Sequence, residues 1–265
     1  MSAPDDELLL RIEPPLAWLI VNRPAARNAL SVAIWAGLGE GVQTLAADSR
    51  VRVIIIRGAG DDAFMSGADI TEFPKLRADA AMTAEYDRQT AIALAAIAGA
   101  PQPVIAMING LCFGGGCSVA LACDLRFAAD HARFAIPAAR LGLAYPFERG
   151  VERLVHVVGP THAADILLSA RAFTADEALH VGFVNRVIDR DRLDAETREY
   201  ASQMARNAPL TLAAHKVAIQ ESMRAAAERN LDRLRTLNTN CFDSADYQEG
   251  VAAFLAKRTP RFEGR

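Results

Sequence analysis

Residues 109–128 read NGLCFGGGCSVALACDLRFA. They follow VIAMI at 104–108, a dense apolar run of the kind that fills a buried strand. The triplet Gly114, Gly115 and Gly116 then opens an apolar stretch that reads as a helix to about Ala122. Strand, glycine loop and helix start, in that order, turn backbone N–H groups toward an anionic oxygen. The order occurs a second time upstream, in IIIRGAGDDAFMSGADI at 54–70. Loops after neighbouring parallel strands share one edge of a sheet. One N–H from each would make a two-donor hole for a single oxygen. Read alone, the same glycines also suit tight turns and close helix packing.

The rest of the chain is organised around these strands. Segments 8–12 and 16–22 read as strands joined at Pro14-Pro15, and Ser31 as the cap of a helix running to about Asp48. VRVIIIRGAG at 51–60 is a buried strand, and DDAFMSGADITEF at 61–73 a loop entering a helical turn. An Ala-rich helix spans 83–98, and DLRFAA and RFAIP are short strands. This alternation predicts an α/β fold with largely parallel pairing. From about residue 146 helices dominate, over 146–158, 160–169, 175–180, 192–207, 209–227, 229–240 and 244–258. In the last, Tyr247, Val251, Phe254 and Leu255 form an apolar stripe that requires a partner surface.

Composition narrows the class. Of 265 residues, 51% are hydrophobic and 23% charged, which supports a sizeable core. The net charge of −3, without a dense Lys/Arg block, points away from nucleic acid and anionic membranes. No apolar run is long enough to insert into a membrane. The opening MSAPDDELLL lacks a signal pattern, so the expected compartment is cytoplasmic. Cys112, Cys117, Cys123 and Cys241 form no CxxC pair and read as reduced core thiols, with no metal site. The five histidines read as structural.

Taken together, six stretches resemble the crotonase superfamily, the enoyl-CoA hydratase/isomerase family. They are IVNRPAARNAL at 20–30, FMSGADITE at 64–72, NGLCFGGGCSVALACD at 109–124, LGL at 141–143, FTADEALHVGFVNRV at 173–187 and YQEGVAAFLAKRTPRF at 247–262. The resemblance covers nearly the whole chain. It implies a spiral of β-β-α turns over residues 1–200 carrying an acyl-CoA site, and a C-terminal helical region over 201–265 for packing into a homo-oligomer, a trimer or a dimer of trimers. By motif match, the N–H groups of Ala68 and Gly115 hold a thioester oxygen. Arg23, Ala26, Arg27, Ala68, Asp69 and Ile70 match coenzyme A-binding segments. Phe254 and Lys257 match a pair that reaches the adenine end from a neighbouring subunit. On charge alone, Arg23, Arg27 and Lys257 read as solvated surface residues. No cofactor is implied, since coenzyme A is part of the substrate.

The match breaks at the two glutamates of the family's hydratases. The position two residues past the triplet is Ser118, and the position four residues after Phe134 is Ala138. Hydration requires a group that deprotonates water and one that protonates carbon. An unactivated serine is a poor base, and a methyl group is neither acid nor base. Tyr145 and Glu148, in LGLAYPFERGVERL at 141–154, offer substitutes. Family decarboxylases are similar in placing a Tyr soon after LG. Read alone, Tyr145 is a pocket wall, Glu148 a loop carboxylate and Ser118 a small helix residue. The expectation is therefore an enolate-stabilising acyl-CoA protein in which hydration is chemically doubtful. The alternatives are a decarboxylase or isomerase using Tyr145 and Glu148, or a catalytically weak acyl-CoA binder.

Overall fold

The computed structural model describes residues 7–265, apart from the side chains of Glu148 and Arg149. The reading of the N-terminal residues 1–6 lies outside the described residues. The strands are β1 (Leu8–Glu13), β2 (Leu16–Val21), β3 (Val53–Gly58), β4 (Ala63–Met65), β5 (Val104–Ile108), β6 (Leu111–Phe113), β7 (Leu125–Ala129), β8 (Arg133–Ala135), β9 (Phe173–Thr174) and β10 (Arg186–Ile188). The helices are α1 (Val32–Ala47), α2 (Phe73–Leu76), α3 (Ala80–Gly99), α4 (Gly115–Ala122), α5 (Glu152–Ser169), α6 (Ala175–His180), α7 (Leu193–Met204), α8 (Pro209–Ser222), α9 (Leu231–Phe242) and α10 (Ala245–Leu255).

Two sheets run side by side. The first has the order β1-β2-β3-β5-β7-β10, the second β4-β6-β8-β9. Neighbouring strands pair in parallel except at β1–β2 and β8–β9. The chain lays a strand in the first sheet, then one in the second, then a helix. It does so through β3-β4-α2-α3, β5-β6-α4 and β7-β8-α5. This is the β-β-α spiral.

The apolar runs follow from burial on both faces. In β2, Ala17, Leu19 and Val21 face a core shared with Ile34, Leu38 and Leu94, while Leu16, Trp18 and Ile20 face a second core beneath Leu193 and Ala201. Every residue of β2 is buried, so no polar alternation shows.

Ser31 caps α1, its Oγ accepting the Ile34 N–H at 3.2 Å. The predicted break between helices at 158–160 corresponds to Gly159, whose φ of +75 kinks α5. Four strands depart from the sequence reading. The loop at 61–73 contains β4, and the glycine loop is preceded by β6. β9 and β10 were not predicted either. Each has two or three residues, too few for a period to register, and is defined by its neighbours. The segment after 146 begins as a π-helical turn, Phe147–Val151, before α5. Helix α8 ends at Ser222 and α10 at Leu255, short of the expected 227 and 258.

The C-terminal helices join the body through α8. There Lys216 Nζ lies 2.8 Å from Asp124 and donates to Gln102 O at 3.0 Å, and Gln220 donates to Ala98 O at 2.7 Å. Along α10 the stripe is open: Tyr247 is 49%, Val251 44%, Phe254 83% and Leu255 76% exposed. All four cysteines are free thiols. Three are buried, whereas Cys241, on α9, is half-buried rather than in the core. Among the described residues, no helix is long and apolar enough to cross a membrane.

Candidate active site

The loop leaving β4 is fixed from the segment 23–30. Asn28 is fully buried and donates to Ala59 O at 3.0 Å and Ala63 O at 2.7 Å, while its Oδ1 accepts the Arg23 N–H at 3.0 Å. Leu30 then brackets Ala68: its N–H donates to Gly67 O at 2.8 Å and its carbonyl accepts from Asp69 N at 2.9 Å. The N–H of Ala68, between these bonds, has no acceptor among the described residues. Gly67 permits the approach with φ of +109, a conformation that side chains resist.

The second loop leaves β6. Gly114 donates to Ala135 O at 2.8 Å and turns through φ +49, ψ −111 into α4. Gly115 opens that helix, and its N–H likewise has no acceptor among the described residues. The two loops touch through absent side chains. A Cβ on Gly115 would stand 3.0 Å from the Trp35 ring and 3.5 Å from the Ala68 nitrogen. A Cβ on Gly116 would run into the Met65 carbonyl.

Ser118 lies one turn into α4 and is 7% exposed. Its Oγ is 2.6 Å from the Tyr145 hydroxyl, which also donates to Gly114 O at 3.3 Å. Desolvation on burial pushes the Tyr145 phenol far above its ordinary value of 10.0, so it stays protonated. The Tyr145 ring packs against the π-helical turn, where a Cβ on Gly150 would overlap it. Ala138 lies on the 3-10 turn Pro137–Leu141 and is half-buried.

These groups line one cavity of about 170 Å³, shared by Ala68, Gly115, Ser118, Ala138 and Tyr145. Its remaining wall includes Trp35, Phe73, Arg77 and Tyr86. The sequence reading did not single these out: Trp35, Phe73 and Tyr86 fall on helices whose pattern shows burial and no chemistry, and Arg77 sits just past the end of α2. Ile70, 58% exposed, is at the rim.

Other predicted residues are placed differently. Arg23 does not extend freely: its Nη1 bonds Ala29 O at 2.8 Å and Asp69 Oδ2 at 3.1 Å, and its Nε lies 3.2 Å from Glu7. Asp69 also accepts from the Thr71 hydroxyl at 2.6 Å, and that bond, with Arg23, holds its carboxyl below the usual range. The pair ties the two segments together. Ala26 and Arg27 are exposed, Arg27 with φ of +52. Phe254 and Lys257 are outside the cavity lining, on and just past α10. Glu148 lies on the π-helical turn, and its side chain is outside the described residues.

The sequence profile of the enoyl-CoA hydratase/isomerase family matches residues 12–265. The crotonyl-CoA hydratase of Syntrophomonas wolfei is 35% identical over 261 residues, 97% of this chain and 98% of the relative. The carnitinyl-CoA dehydratase of Salmonella arizonae is 34% identical, covering 98% of this chain and 99% of its own. Among solved structures, an enoyl-CoA hydratase/carnithine racemase from Magnetospirillum magneticum superposes with a TM-score of 0.92 at 39% identity, over 98% of this chain and 96% of the other. Profile, relatives and superposition all run the length of the spiral and both glycine loops, and this chain belongs to the enoyl-CoA hydratase/isomerase family.

Proposed function

We propose that the chain is a lyase or isomerase acting on an acyl-CoA thioester, with the N–H groups of Ala68 and Gly115 holding the thioester oxygen as an enolate develops. The observation that carries this reading is the pair of unpaired N–H groups on two loops in contact at one cavity. Negative charge grows on that oxygen during reaction at either the α or the β carbon of the acyl group. Each such donor contributes roughly 3 kcal/mol to the transition state.

What stands beside the oxygen distinguishes this site from a hydratase with two carboxylates. Ser118 and Tyr145 form a neutral hydroxyl pair. A phenol held protonated gives up a proton or a hydrogen bond but does not take a proton from water. This favours a second reading, decarboxylation of a malonyl-type thioester. There, loss of CO₂ itself generates the enolate, and the hydroxyl pair returns a proton to carbon. Glu148, three residues after Tyr145, is the further candidate for proton transfer, by its position alone.

For coenzyme A we assign Ala26, Arg27 and Ile70 to the rim, with the Arg23–Asp69 pair holding the loop. Phe254 and Lys257 would act on the site of a neighbouring subunit. The open stripe on α10 supports a homo-oligomer, with residues 201–265 as the contact region and residues 1–200 as the catalytic body. Free thiols fit a reducing, cytoplasmic compartment.

The test incubates the protein with enoyl-, malonyl-type and 3-hydroxyacyl-CoA thioesters and weighs the products. Turnover of any one supports an enzyme and names its reaction. Binding without turnover reduces the reading to an acyl-CoA binder, and absence of binding overturns it.

A further inference from the structure

One wall of the cavity carries a guanidinium whose hydrogen-bonding capacity is unspent. Arg77 follows α2, and its Cζ lies 4.9 Å from the Phe73 ring centroid and 5.2 Å from that of Tyr86. The rings hold it by cation–π contact. Its only ion pair among the described residues is with Asp87 at 3.9 Å, beyond hydrogen-bond reach, and its buried Nε has no acceptor. A buried polar group without a partner is uncommon, and a charged one more so. Arg77, Phe73 and Tyr86 line the same cavity as the two loops.

The placement is directional. Gly115 abuts the Trp35 ring, and Trp35 Nε1 donates to the Tyr86 hydroxyl at 3.2 Å. Tyr86 in turn stacks on Arg77. Trp35 and Tyr86 thus form a run of contacts along the cavity wall from Gly115 to Arg77, the route an acyl group held at Gly115 would follow to reach the guanidinium. We propose that Arg77 receives a carboxylate at the far end of the acyl group, and that the substrate class is the mono-coenzyme A thioester of a short dicarboxylic acid. This rests on the acyl-CoA reading above. A guanidinium matches a carboxylate with paired N–H donors, which an ammonium does not. Asp87, 3.9 Å away, leaves those donors unspent.

Calorimetry with fresh solutions of three saturated thioesters of similar length tests the assignment: butyryl-CoA, with a neutral acyl group; succinyl-CoA, anionic; and β-alanyl-CoA, cationic. The unmodified protein should bind succinyl-CoA about tenfold or more tightly than butyryl-CoA, the range of one charge-assisted hydrogen bond. Arg77→Met should shrink that ratio to near one, and Arg77→Lys should leave an intermediate ratio. Equal binding of butyryl- and succinyl-CoA by the unmodified protein overturns the proposal while leaving the acyl-CoA reading intact. Preference for β-alanyl-CoA overturns it in favour of Asp87 as the selecting group. A ratio that survives in a folded Arg77→Met protein also overturns it. Failure to bind any of the three overturns both readings. Should Arg77→Met not fold, the ratios of the unmodified protein still decide.

Discussion

Tyr145 Oη lies 2.6 Å from Ser118 Oγ, across the position toward which a longer side chain at 118 would extend. The aromatic residue thus occupies the space that a carboxylate on α4 would use. A serine there is what leaves room for the phenol.

Hydration of a crotonyl-type thioester should therefore be very slow. General acids and bases contribute about 10²–10⁴-fold each, and neither matching position carries one. Ser118→Glu with Ala138→Glu should fail to restore hydration, because the new side chain meets Tyr145. Adding Tyr145→Ala to that pair should raise it. Loss of enoyl absorbance measures the rate. Ordinary hydratase turnover by the unmodified protein would show that another group supplies the missing acid and base.

Tyr145→Phe keeps the ring and removes the hydroxyl. It should lower turnover by about 10²-fold or more if the phenol delivers the proton, with binding little changed. The unmodified enzyme should show no rise in rate up to pH 10, because the phenol remains protonated past its ordinary value of 10.0. The same shift sets a stability limb. Below pH 10 folded and unfolded chains both hold this proton. Above it the unfolded chain releases it first, so stability falls as pH rises, and Tyr145→Phe should flatten part of that fall. Tyr86, also raised by burial, should keep the remainder. Alkaline denaturation curves of both proteins measure the difference. A rate that climbs with a midpoint below 10 would instead reveal a phenolate base.

Gly150→Ala should reproduce much of the Tyr145→Phe loss without touching the hydroxyl. The added methyl overlaps the Tyr145 ring and forces it off Ser118. Overpacking of this kind costs roughly 1–3 kcal/mol. Thermal melting and turnover, measured together, separate displacement from general unfolding: a stable protein with lowered kcat supports the positioning role, and unchanged kcat contradicts it.

Phe254→Asp should weaken self-association. Phe254 and Leu255 stand 83% and 76% exposed on one chain, an apolar area expected to be covered. Light scattering should find an oligomer for the unmodified chain and a smaller species for the variant. A monomer at micromolar concentration in the unmodified chain would remove both the contact and the assignment of Phe254 and Lys257 to a neighbouring site.

The sequence exposed the parts of this site that are local and left the rest dark. The two glycine loops were legible because strand, loop and helix start follow within one short stretch. So was Ser31 as a cap, since cap and first turn are adjacent. Strands β4 and β6 were not, because AFM and LCF become strands only by lying parallel to each other and to β8. The sequence named Ser118 and Tyr145 separately, and nothing in it placed them in contact. That contact depends on a π-helical turn and on a glycine at 150, five residues past the tyrosine. Arg77 was invisible for a related reason. Nothing in FPKLRADAAM marks it out, and only the return of α3 brings the Tyr86 ring over it.

The two donors at Ala68 and Gly115 are peptide groups, and a peptide N–H survives exchange of the side chain it bears for any residue but proline. The site is thus inverted in its tolerance. Where most enzymes are disabled by trimming a residue, this grip would be disabled by enlarging one, at Gly115 or Gly116, where a single methyl meets Trp35 or the Met65 carbonyl. Positions 118 and 145 limit each other through their 2.6 Å contact, and exchanging them together with 138 leaves the donor loops untouched. A library that randomises those three and leaves the loops untouched would vary the proton chemistry over a constant electrostatic floor.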